Sequence, residues 1–187
     1  MKNRIDICNM ALAQLGMEQI SSWDDDRASA RQIKIFYNVC KERLLREYNW
    51  SFAIKEEKLT QIANKEGVAD FPIVCNLPNN ASRIIRLGSR RKYLKRENLL
   101  YVQNADDTVL YIKEDIEACE FDSAFADSLA CAIASKLAFA NRDTQLASYY
   151  DQQMQQRIAA AKAIDSIENI HDFQQGKRRS KFIEARQ

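Results

Sequence analysis

The chain has 187 residues, 46% of them apolar and 29% charged, and a formal net charge of +2. That is the size and balance of one compact domain able to bury a core without a metal or disulfide. No run of 18 apolar residues occurs, so no membrane span is expected. The cysteines Cys8, Cys40, Cys75, Cys119 and Cys131 are odd in number and widely spaced, with no C-x-x-C. Buried thiols in a reducing compartment are expected. Lys2 and Arg4 precede an apolar stretch, but Asp6 and Asn9 interrupt it, so it does not read as a signal peptide and the host cytoplasm is the expected place of synthesis.

Taken in order, Ile5, Cys8, Leu12 and Leu15 recur at helical spacing, and Gly16 follows where a left-handed residue closes a helix. A polar connection leads to Asp24-Asp25-Asp26, which offers an N-cap and negative charge to the next helix. Ile33, Phe36 or Tyr37, Cys40, Leu44 and Tyr48 repeat the same period, and Trp50 and Phe52 follow as large anchors. Residues 3–50 therefore read as a helical hairpin.

Over residues 53–113 the apolar residues come in short runs (59–62, 71–77, 83–87, 99–102, 109–112) separated by Gly67, Pro72, Pro78, Asn79-Asn80 and Gly88. These predict one small, mostly antiparallel sheet, marginal unless a helix covers one of its faces. Helical spacing returns over residues 121–165. Phe125, Leu129, Ile133 and Leu137 run beside a row of Ala126, Ala130, Ala134 and Ala138. After the Asn141-Arg142-Asp143 break come Leu146, Tyr150, Met154, Ile158, Ala161 and Ile164. The expected fold class is α+β, predominantly α: a four-helix bundle with a small antiparallel β-sheet inserted between its two helical hairpins. Residues 1–165 would form this single domain. Residues 166–187 would form an extended C-terminal arm, since their apolar density is too low to fold alone.

Charge is unevenly spread. Residues 83–96 carry seven basic side chains and no acid, whereas residues 106–127 carry eight acids and Lys113 alone. The last twelve residues hold five basic groups and one acid. One reading of the two internal stretches is a heterologous contact between copies, with Arg90, Arg91 and Lys92 of one meeting Glu114, Asp115 and Glu117 of the next. Repeated, such a contact can close a ring. Pairing within one subunit, a solvated face and non-specific phosphate binding remain open.

Catalysis finds little support. The four glycines lie far apart, which excludes the usual phosphate-cradling loop or dinucleotide fingerprint, and His171 is the only histidine. No catalytic, cofactor or metal-ligating set is assigned, and an enzyme is not expected.

Across nearly the whole chain, the order of motifs resembles the tail tubular protein A family, the head-to-tail adaptors of short-tailed bacteriophages. The residues that carry the resemblance are Ala11-Leu12, Leu15-Gly16, Ile20-Ser21-Ser22 with the Asp turn, Trp50-Ser51-Phe52-Ala53, Leu77-Pro78, Phe121 to Phe125, and the ending Phe182-Ile183-Glu184-Ala185-Arg186. Asn80 stands where the family more often has Asp, and Phe182 where Trp is commoner. The resemblance implies a virion protein at the head-tail junction that docks on the portal protein and receives the tail nozzle protein. It would form a homo-oligomeric ring, twelve subunits on the portal, that extends the channel, with DNA passing through the lumen without specific binding. The last helix and arm would then hold the portal-binding residues: Lys177, Arg178, Arg179, Lys181, Phe182, Ile183 and Arg186. An accompanying peptidoglycan-degrading activity and a nucleic-acid-binding role are the alternatives.

Overall fold

The computed structural model describes residues 3–63 and 65–184, with side-chain surroundings as far as Ile167. The helices are α1 (Arg4–Gln14), α2 (Ala28–Glu47), α3 (Ser123–Ala140) and α4 (Thr144–Glu184). Between α2 and α3 lie seven strands: β1 (Ile54–Lys58), β2 (Thr60–Gln61), β3 (Ile73–Asn76), β4 (Ala81–Leu87), β5 (Leu94–Arg96), β6 (Leu99–Val102) and β7 (Thr108–Lys113). The chain divides into a helical unit, residues 1–52 and 117–187, and a β unit, residues 53–116.

In the helical unit, α1 opens on a reciprocal cap. The Asp6 amide donates to Asn3 Oδ1 and the Asn3 amide to Asp6 Oδ2, both at 2.9 Å, so two otherwise orphan donors are satisfied. The helix closes at Gly16 (φ +63°), with Met17 N donating to Leu12 O and Gly16 N to Ala13 O. Its buried face is Ile7, Cys8, Ala11 and Leu12. Asn9 then grips the connection at two points, donating to Ile20 O and accepting from Ile20 N. The Asp turn does not cap α2. Arg27 takes the N-cap position with no side-chain bond to the helix, and Asp25 instead forms a forked pair with it (Nε to Oδ1 3.1 Å, Nη2 to Oδ2 2.6 Å). That hydrogen-bonded pairing holds the Asp25 carboxyl at about 2.

The organising element is α3. It is capped by Asp122, which accepts from Ala124 N at 2.6 Å, and it buries Phe125, Ala126, Leu129, Ala130, Ile133, Ala134 and Leu137 among others, so nearly its whole circumference is covered. The main packing of α1, α2 and α4 is in each case against α3. Small side chains on several of its faces permit three close approaches, and a helix apolar all round is a core helix. By length and composition alone α3 could cross a membrane; its apolarity is used here against its neighbours. At its N-terminal end Trp50, Phe52, Phe121 and Phe125 form an aromatic cluster with ring centroids 4.9–6.0 Å apart. The indole of Trp50 is satisfied by Leu44 O at 2.9 Å.

The β unit holds two antiparallel sheets, ordered β1-β7-β4 and β2-β3-β6-β5. Leu87, Val109 and Tyr111 from the first join Cys75, Leu100 and Val102 from the second in one buried cluster, with Leu59 and Leu77 between strands. Each sheet thus covers the other's apolar face. At roughly 1.5–3 kcal/mol for each large side chain buried, this supplies what a lone small sheet lacks.

The expected fold class is therefore corrected. Over the described residues the molecule is a mixed α/β structure of four helices and two antiparallel sheets with seven strands between them, not a four-helix bundle with one small sheet. The second hairpin does pair along its own seam, α3 against α4, but α1 and α2 spend their apolar faces on α3 rather than on each other. The apolar runs did mark β3, β4, β6 and β7, but their spacing does not say that β3 and β6 pair in one sheet and β4 and β7 in another. β1 (Ile-Lys-Glu-Glu-Lys) and β5 (Leu-Lys-Arg) went unforeseen because they are hydrophilic and form by backbone pairing with the apolar β7 and β6. Nor does the chain turn into an extended arm at residue 166, since α4 runs 41 residues to Glu184. Residues 166–184 contain no proline and a single glycine, Gly176, so no strong breaker stops the helix. Residues 166–184 then advance about 28 Å rather than the longer reach of an extended chain.

Candidate functional site

The sequence marked charges rather than a cleft, and the β unit shows how they are displayed. After β4 the chain turns sharply. Gly88 N donates to Thr108 O at 2.8 Å, Arg90 N to Leu87 O at 3.1 Å, and Arg90 adopts φ +58°. A Cβ at residue 88 would run into Thr108 Oγ1 and would have to displace that hydroxyl. The turn is tied down by Asp107, which is 8% exposed. Its Oδ1 accepts from Ser89 N at 2.9 Å and Thr108 N at 2.8 Å, and its Oδ2 accepts from the Ser89 hydroxyl. Ser89 Oγ in turn accepts from Arg91 N at 3.3 Å. Burial pushes the Asp107 carboxyl up, but the bonds from Ser89 and Thr108 and the charge of Arg91 outweigh it and hold the group below the usual carboxylate range.

Arg90, Arg91 and Lys92 stand exposed on this loop. Arg86 reaches back to the carbonyls of Leu87 and Gly88, and Arg96 lies over the Tyr101 ring, 5.7 Å from its centroid. Glu114 and Asp115 are exposed just past β7, where Glu114 N donates to Asn80 O at 2.8 Å. In the antiparallel ladder Leu87 faces Val109 and Ala81 faces Lys113, so the basic loop and the acidic pair lie at opposite ends of β4–β7. Six residues of strand separate those ends, roughly 20 Å. The ladder does not bring them together within the β unit. Glu117 belongs to the helical unit, exposed at the start of a short 3-10 turn where its amide donates to Glu120 Oε1 at 3.1 Å. Near the acidic end Tyr111 donates to Glu57 Oε2 at 3.1 Å. Burial, then that carboxylate, raises its phenol.

Each sheet edge carries a device against strand addition. β1 bears Lys55, Glu56, Glu57 and Lys58, and β2 is two residues long. The pairing of β4 is interrupted by two register shifts. On β5, Lys95 sits opposite Leu100 on the core-facing side. Any partner of this unit meets side chains and loops rather than an open ladder.

Of the portal-binding set, Lys177, Arg178, Arg179, Lys181, Phe182 and Ile183 fall on the helical span of α4, their side chains outside the described surroundings, and Arg186 lies outside the described residues. The residues that sequence reasoning missed are Asp107 and Ser89. Asp107 was counted only as one acid among eight, and the available signal was an Asp immediately before a strand, where its carboxylate can cap a turn. All five cysteines are free, four of them buried, and burial pushes the Cys8 thiol up to about 12 and the Cys40 thiol to about 11. Among the described residues no three His, Cys, Asp or Glu side chains are grouped to hold a metal.

No protein-family model matches this chain, and neither does any curated protein sequence.

Proposed function

We propose that the protein is a head-to-tail adaptor of a short-tailed phage, in the manner of the tail tubular protein A family that its motifs resemble. It docks on the portal protein, closes a ring of twelve that extends the DNA channel, and receives the tail nozzle protein. It works by binding and assembly, in the host cytoplasm before it joins the virion. The observation that carries the reading is the polarity of the β unit, with exposed Arg90, Arg91 and Lys92 at one end of the β4–β7 ladder and exposed Glu114 and Asp115 at the other. A subunit with complementary patches in two different places makes heterologous contacts, the kind that close rings. Opposite charge steers their register more than it adds affinity. Glu117 is assigned to the acidic patch on sequence grounds. The monomer stays apart until a portal holds several copies together and raises their effective concentration.

The test is the variant Arg90→Glu/Arg91→Glu/Lys92→Glu. It is expected to keep the circular dichroism of the parent and to give no rings on a co-expressed portal by electron microscopy. Normal rings would remove the charge-contact reading. Deleting residues 176–187 is expected to leave a folded protein that no longer comigrates with portal on a native gel.

The exposed Arg90, Arg91, Lys92, Lys95 and Arg96 also favour a second reading, non-specific contact with nucleic acid. A duplex shift by the isolated protein that weakens steeply with salt, and is lost in the triple reversal, would favour this reading.

A further inference from the structure

The geometry points to Asp107 as a positioning residue, an internal clamp that presents Arg90, Arg91 and Lys92 as a preformed cationic surface for an anionic patch of a second copy. It rests on the ring reading above for its partner, while the clamp itself stands on the contacts of Asp107. Asp107 belongs to the acidic stretch of the sequence, yet it is buried and spends its carboxylate on three donors of its own unit. The loop that it holds carries Arg90 at φ +58°, a conformation that an L-residue adopts at a cost unless its surroundings enforce it. A charged loop that merely kept the protein in solution would need neither the strained backbone nor the buried carboxylate. A binding loop gains from both, because ordering completed during folding is not charged to association. The depressed carboxyl agrees, since the ionised form is the one the clamp uses.

Limited trypsin digestion of the full chain reads the clamp directly, because Arg90, Arg91 and Lys92 are themselves cleavage sites. Asp107→Ala removes all three contacts and is expected to speed cleavage at these sites by about tenfold or more, while cleavage within the helical unit is unchanged. Asp107→Asn keeps an Oδ1 that can accept from both amides but loses the charge, and is expected to cleave only slightly faster than the parent. Ser89→Ala removes only the hydroxyl contacts and is expected to fall between. Should Asp107→Ala fail to fold, the order parent, Asp107→Asn, Ser89→Ala still decides the matter. Parent-like cleavage in both Ser89→Ala and Asp107→Ala overturns the clamp, as does acceleration spread evenly over the chain. The ring reading fails separately. If the triple charge reversal still forms rings while Asp107→Ala loosens the loop, the clamp stands and its partner is wrong. If the reversal blocks rings but the loop is insensitive to Asp107, only the clamp falls.

Discussion

The two units of this chain are built on opposite plans. The helical unit centres on one helix, α3, whose buried side chains face three neighbours at once. In the β unit no element is central. Two thin sheets share a cluster of eight buried residues, and the unit's polar groups hold its turns and shape its edges. Burial decides the first structure and leaves its exposed polar residues open to substitution. In the second the hydrophobic margin is smaller, and hydrogen bonds such as those of Asp107 determine how charge is shown to the outside. Interaction surfaces suit the second plan, because loops there can change without repacking the core.

The comparison can be broken most forcefully in the cores. Leu129→Ala in α3, where Leu129 is fully buried, is expected to cost about 2–5 kcal/mol. By hydrogen exchange, α1, α2 and α4 should lose protection together, because all three pack on the helix that was weakened. Leu100→Ala, also fully buried, should cost a similar amount with its largest protection losses confined to residues 53–116. Loss of protection limited to α3 itself would contradict the hub.

A smaller effect separates the polar locks. With Arg27 donating to it, the Asp25 carboxyl is held at about 2, below its ordinary 3.8. A folded value below the unfolded one means that the pairing stabilises the fold fully above the unfolded value, and the contribution is lost as pH falls through the folded value. An NMR titration of the carboxyl carbons should put the Asp25 midpoint near 2. A midpoint near 4 would mean that Arg27 does not hold it in solution.

The mildest test is chemical. Cys119 is the one exposed thiol of five, so iodoacetamide at neutral pH should modify one site per folded chain by mass spectrometry. Prompt labelling of Cys8 or Cys40 would show that the helical unit opens more readily than a hub-centred core allows.

Several features could be read without coordinates. Ile33, Tyr37, Cys40 and Leu44 on α2, and Phe125, Leu129, Ile133 and Leu137 on α3, are buried, because a 3.6-residue period written in apolar residues survives whatever the partner proves to be. The α4 stripe was legible only in its middle. Met154, Ile158 and Ala161 are buried, but the row continues to Asp165 while Ile164 is 48% exposed. Asp165 is held there by Ser51, whose amide donates to Oδ1 at 3.0 Å. Nothing in the local pattern announces a partner 114 residues away.

Local sequence by itself determined which helical faces are apolar, since that depends on neighbours within a turn or two. It did not fix the start of α2, where Asp25 pairs with Arg27 instead of capping the helix. Three things were decided only by tertiary structure: that α3 rather than a seam between α1 and α2 receives the faces of those two helices, that charged β1 and β5 become strands, and that one acid of the 106–127 stretch turns inward to hold a basic loop. Each is a competition between distant segments for the same partner. Packing space and backbone hydrogen bonds settle it, and neither is written in the spacing of residues along the chain.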